Sequence, residues 1–84
     1  MPDARSPIRY HLVLYRRDPE QGRARFFSQM IERDLFGTIR LVRNWGFVGS
    51  KGREQVEIFS DEAEAAQALE TRATAQRQKG YTDL

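Results

Sequence analysis

The 84-residue chain has no cysteine and a single histidine. Without cysteine there is neither a disulfide framework nor a thiolate ligand for a metal, so the fold must rest on a hydrophobic core. A chain of this length is too short for two domains, and it buries only about 60–65% of its unfolded surface. Long apolar runs are also missing: none approaches the roughly 20 residues of a spanning helix. Met1 to Pro7 lacks the apolar stretch of a secretory leader. These absences lead us to expect a cytoplasmic, soluble protein with no membrane attachment.

Several chemistries fall with the same shortages. His11 sits inside an alternating apolar segment. The only serine among the clustered glycines, in Val48-Gly49-Ser50-Lys51-Gly52, has glycine directly before it and so forms no nucleophile elbow. Carboxylates alone remain as metal ligands, and Asp61, Glu62 and Glu64 are explained by a helix start, where acids meet the positive end of the dipole. Gly49-Ser50-Lys51-Gly52 lacks the Gly-Lys-Ser/Thr order of a nucleotide loop, and Gly46, Gly49 and Gly52 lack the dinucleotide spacing. We therefore expect no catalytic residue, no metal, no cofactor and no enzymatic activity.

What the chain does have is arginine. Twelve of its fourteen basic residues are Arg, and the charge is uneven: net +6 over residues 1–53 and −4 over residues 54–84, within a total of +2. Guanidinium presents a planar donor fork that suits phosphate, although arginine richness also follows from a GC-rich genome.

The residue pattern predicts strands over Ile8–Tyr15, Arg23–Ile31, Thr38–Trp45 and Arg53–Phe59, separated by segments rich in Gly, Pro and Asp. In the third, Ile39, Leu41, Arg43 and Trp45 share one face, while Arg40, Val42 and Asn44 take the other. From Ser60 the character changes. A capping hydroxyl and two acids open a helix over Asp61–Lys79, which contains six alanines and no Gly or Pro. Its apolar stripe is Ala65, Ala66, Leu69, Ala73 and Gln76, thin enough to let the helix lie close to a sheet. Gly80 reads as the residue ending the helix, with Tyr81 folding back against it. The expected fold is α+β: a four-stranded antiparallel sheet followed by one C-terminal helix packed on it. Residues 1–7 read as a flexible arm and residues 8–81 as a single domain, monomeric or weakly dimeric through an edge strand. The sheet face away from the helix needs a cover or is a binding surface.

One cluster points to a ligand. Trp45 and Phe47 are flanked by Arg43, Lys51 and Arg53, with Arg40 peripheral on the alternate face. Cations that neutralise phosphates and flat rings that receive bases or sugars are how single strands and ends of nucleic acid are held, and glycines such as Gly46 let backbone N–H groups come close to a phosphate. Residue types alone favour a plainer alternative, a core tryptophan among solvated arginines.

The segment Leu41-Val42-Arg43-Asn44-Trp45-Gly46-Phe47-Val48-Gly49 resembles the signature of the WGR domain, named for Trp-Gly-Arg. Gly52, Phe59 before the helix start, and Lys79-Gly80-Tyr81 fall at matching separations, so the resemblance covers about Ile8 to Tyr81. Phe47 stands where the signature has arginine, and Arg53 where glutamine is usual. The resemblance implies a bacterial member of this family. In poly(ADP-ribose) polymerases the domain lies beside the catalytic part and binds near a DNA break, its tryptophan resting against the sugar of an end nucleotide. Carried over, it implies a DNA-binding module without catalysis, its Trp45 and Gly46 filling the family's roles and Phe47 unable to supply a guanidinium. A protein-interaction or accessory role in a DNA-repair or regulatory complex is the alternative.

Overall fold

The computed structural model describes residues 8–18, 20 and 22–84, with side chains from position 10 onward; the arm expected over residues 1–7 lies outside the described residues. Strands β1 (Ile8–Asp18), β2 (Arg23–Arg33), β3 (Ile39–Phe47) and β4 (Arg53–Phe59) are followed by helix α1 (Glu62–Gln78) and a two-residue strand β5 (Thr82–Asp83). They form one antiparallel sheet in the order β4-β3-β2-β1-β5. The expected α+β fold is what the chain adopts, with two differences. The β1–β2 hairpin runs on through Arg16, Arg17 and Asp18, because cross-strand backbone bonds continue where the apolar pattern stops. Strand β5 folds back beside β1, pairing Tyr15 with Thr82 and Leu14 with Asp83; two residues are too few to show alternation.

Register sorts the side chains. Leu12 and Leu14 of β1, Phe27, Gln29 and Ile31 of β2, and Ile39, Leu41, Arg43 and Trp45 of β3 line up on the face that takes α1. Ala65, Leu69 and Ala73 of α1 are buried against them. Small residues at these positions let the helix sit low, as the alanine stripe suggests. The fully buried Gln29 then reaches α1 directly, its Nε2 donating to the Leu69 carbonyl oxygen at 3.0 Å. The opposite face carries His11, Met30, Val42 and Val56 in one cross-strand row. No element among the described residues packs on it, and Ile58 there is 64% exposed.

Asp61, rather than Ser60, caps α1: its carboxylate accepts from the Glu64 N–H at 2.8 Å, while the Ser60 hydroxyl donates to the Glu64 carboxylate at 2.8 Å. At the far end Gly80 takes a φ of 98° and Tyr81 turns back onto Phe27, the rings meeting edge-on at 6.5 Å. Both are as the sequence predicts. The Arg77 side chain donates twice to Asp83, tying the helix end to β5.

The β2–β3 turn is built on Asp34, whose carboxylate accepts from the backbone N–H groups of Thr38 and Phe36, each at 2.9 Å. The bond from Thr38 holds the Asp34 carboxyl below the usual aspartate range, against partial desolvation, with Phe36 adding to it. A lowered native pKa stabilises the turn above the unfolded-state pKa and ceases to do so as pH falls through the native one. An NMR carboxyl titration should therefore give Asp34 a midpoint below that of an ordinary aspartate, and a midpoint at or above it would contradict the turn geometry. Leu69 is the one large side chain that α1 buries, so Leu69→Ala should cost about 2–5 kcal/mol of unfolding free energy in urea denaturation. A loss under about 1 kcal/mol would show that the helix is anchored elsewhere.

Candidate nucleic-acid interface

Trp45 is neither sealed beneath the helix nor laid out on the surface. It lies in the last third of β3 on the helix face, half-buried, packed on the cluster of Leu14, Phe27 and Ala73. Its neighbours across the sheet are Phe27 on β2 and Arg53 on β4. Where α1 ends, Gln76 and Tyr81 stop short of covering it. The gap is a cavity of about 150 Å³ lined by Phe27, Arg43, Trp45, Gln76 and Tyr81. Pockets that enclose a small-molecule ligand run to about 300–1,000 Å³, so this one suits a ring or a sugar presented from outside.

Two glycines set the indole's position. Gly46 and Gly52 pack backbone on backbone: a Cβ on Gly46 would fall 2.7 Å from the Gly52 Cα. A Cβ on Gly52, at φ 69°, would strike the Trp45 carbonyl oxygen and come within 2.9 Å of the Phe26 ring and 3.0 Å of the Asn44 side-chain oxygen. These glycines let the two backbone segments come together. Gly49, at the tip of the β3–β4 turn, has open space around it.

The arginines divide into two groups. Arg43 and Arg72 share the Glu57 carboxylate, Arg43 at 3.3 Å, and Arg43 also donates to the Gln55 side-chain oxygen at 2.7 Å. Burial, then the neighbouring Arg72, pulls the Arg43 pKa below its ordinary value, with Glu57 opposing. A guanidinium stays charged throughout, so two cations on one acid leave a net positive charge behind the indole. Arg43 is 5.8 Å from the Trp45 ring. Arg40, on the other face, pairs with Glu32 at 3.4 Å, and its register partner on β4 is Ile58. Arg33 and Arg77 also face acids, Glu62 and Asp83.

The second group has no acid partner. Among the described residues, Arg16, Arg23, Arg25, Lys51 and Arg53 form no ion pair, and all lie at the same end of the sheet as Trp45 and Phe47. Arg16, Arg25 and Phe47 form one cross-strand row; Leu14, Phe27, Trp45 and Arg53 form the next. The acids of this end are Asp18, Glu20 and Glu54, and Glu54 belongs to the opposite face. Of the residues the sequence singles out, Trp45, Gly46, Phe47, Lys51 and Arg53 come together here, Arg43 is held just behind and Arg40 is turned away. Arg16, Arg23, Arg25, Gln76 and Tyr81 were not foreseen. Period-2 alternation groups Arg23 and Arg25 with Phe27, but only the β2–β3 register sets them beside Phe47.

A low α1 over an antiparallel sheet, with an indole and arginines free of ion pairs among the described residues at its open end, characterises this domain of the α+β class. A family model for the WGR domain matches residues 10–84, and the chain belongs to that family. It is similar to the uncharacterized protein y4dW of Sinorhizobium fredii, with 38% identity over 72 residues that make up 86% of this chain and 35% of the relative. The chain thus spans about a third of that relative's length. No solved structure matches.

Gly52→Ala should cost more than the ~1–2 kcal/mol of a left-handed residue alone and move the indole, while Gly49→Ala should cost about that much and leave the indole in place. Trp45 is the sole tryptophan, so its fluorescence reads this directly. Unshifted emission in a folded Gly52→Ala protein would remove the glycine contact as the cause of the indole's position.

Proposed function

We propose that this chain is a nucleic-acid-binding module, without catalytic activity of its own, that holds an end or a single-stranded stretch of DNA. WGR domains serve as nucleic-acid-binding modules, and membership of the family gives the local chemistry its direction. The observation that carries the reading is the segregation of charge: among the described residues Arg33, Arg40, Arg43, Arg72 and Arg77 face acids, while Arg16, Arg17, Arg23, Arg25, Lys51 and Arg53, which form no ion pair, lie at the end of the sheet that holds the half-buried Trp45. Cations left without acids bind phosphates by releasing condensed counterions. A half-open indole beside them receives a sugar or base. Trp45 supplies the apolar contact, with Tyr81 and Gln76 bounding its pocket. Arg53 and Lys51, with Arg16 on the far side of the row, neutralise phosphates, and Arg43 contributes charge from behind.

A protein partner is a second reading, favoured by the β2–β3 turn, where Leu35 and Phe36 are 97% and 92% exposed. It uses a different surface and is compatible with the first. Its sign is capture of a partner that survives high salt and needs no oligonucleotide.

Fluorescence anisotropy against nicked, blunt and single-stranded oligonucleotides at two salt concentrations tests the main reading. Three to five phosphate contacts give log K against log salt a slope of about −2.7 to −4.5 on duplex DNA. Trp45→Ala should weaken binding roughly 5- to 150-fold, the range set by loss of one stacking contact. Equal affinities for wild type and a folded Trp45→Ala protein would end the proposal.

A further inference from the structure

We infer that Phe47 is not a second stacking surface for a base but the platform of a phosphate clamp, on which Arg23 and Arg25 are held together. The Arg23 guanidinium carbon lies 3.8 Å from the centre of the Phe47 ring and that of Arg25 lies 4.6 Å away. Both distances are within the range of a cation on an aromatic face. Register produces the arrangement. Arg25 is the direct partner of Phe47, and Arg23, two residues earlier on β2, comes off the same face. Arg16 completes the row from β1.

Two guanidinium groups on one ring repel each other, and among the described residues neither is in an ion pair. The electron-rich ring attracts each of them, which offsets part of that repulsion without neutralising the charge. The pair therefore keeps its donors for an incoming oxyanion, and a phosphate accepts from guanidinium forks through several oxygens. The ligand class is a phosphate group, either the terminal monoester of a strand or an internal diester. This rests on the nucleic-acid reading for its biological ligand, but the clamp is a local property that can be measured alone. Phe47 then acts as a positioning residue: it touches the arginines, and they touch the phosphate.

The test uses the whole chain and follows the side-chain N–H resonances of its arginines by NMR as inorganic phosphate is added at constant ionic strength. Arg23 and Arg25 should shift saturably with phosphate and not with chloride. Phe47→Leu should leave the domain folded by circular dichroism yet weaken phosphate binding about 2- to 5-fold per released guanidinium, and Phe47→Trp should restore it. A wild-type Arg23 and Arg25 pair indifferent to phosphate overturns the clamp, as does a folded Phe47→Leu protein that binds phosphate as wild type does. In anisotropy, the double variant Arg23→Gln/Arg25→Gln should reduce the salt slope on duplex DNA by about 1.8. Comparing 5′-phosphorylated with unphosphorylated blunt duplex separates the monoester from the diester. Loss of oligonucleotide binding in Trp45→Ala with an unchanged slope in the double variant sinks the clamp and leaves the nucleic-acid reading standing. Saturable phosphate shifts without any oligonucleotide binding support the clamp and sink that reading.

Discussion

The contact between Gly46 and Gly52 is the constraint on which the tryptophan-bearing end of the molecule depends. Two chain segments approach until one backbone touches the other, a separation that any side chain at either place would prevent. Trp45 and Arg53 flank that contact and face each other across it. An indole fixed this way needs little support from above, which suits a helix whose buried residues near this end shrink to an alanine, Ala73. Had α1 carried leucines here, it would have ridden higher or covered the indole. The small residues and the open cavity are two aspects of one packing solution.

Charge follows a comparable division. Where arginines lie against the middle of the sheet or the helix, an acid meets them, and Glu57 meets two. Removing charges from water without partners is costly, so these arginines belong to the architecture. Toward the end of the β1–β2 hairpin the arginines are exposed or only half-buried, and unpaired cations that keep contact with water cost little. Extension of β1 and β2 beyond their apolar stretches is thus what makes room for a cationic end.

Much of this was legible in the residues, and what was not has a definable cause. Periodicity gave four strands and a helix, because each is a local pattern; it placed Arg43 and Trp45 on one face and Arg40 on the other for the same reason. The helix end at Gly80 and Tyr81 followed from backbone freedom and an apolar neighbour. Strand β5 was too short to leave a pattern. Arg23 and Arg25 were missed because pairing of β2 with β3 is a long-range fact. Their link to Phe47 exists only once Arg25 stands opposite it. The packing of two glycines was hidden for a related reason: Gly46 and Gly52 are six positions apart in the chain but in contact in the fold. The family likeness identified the tryptophan, and the departure from it at Phe47 turns out to be where guanidinium groups arrive from the neighbouring strand.

The β2–β3 turn has a consequence for how the domain can be watched. Strand β2 runs from Arg23 among the cations to Arg33 beside Leu35 and Phe36, a span of about 33 Å at ~3.3 Å per residue. Asp34 braces that turn with its own hydrogen bonds, so the two bare side chains there carry no share of the core. A dye tethered at Leu35 would stand a full strand's length from the arginines. It would report a slowing of the molecule's tumbling without touching the cationic end.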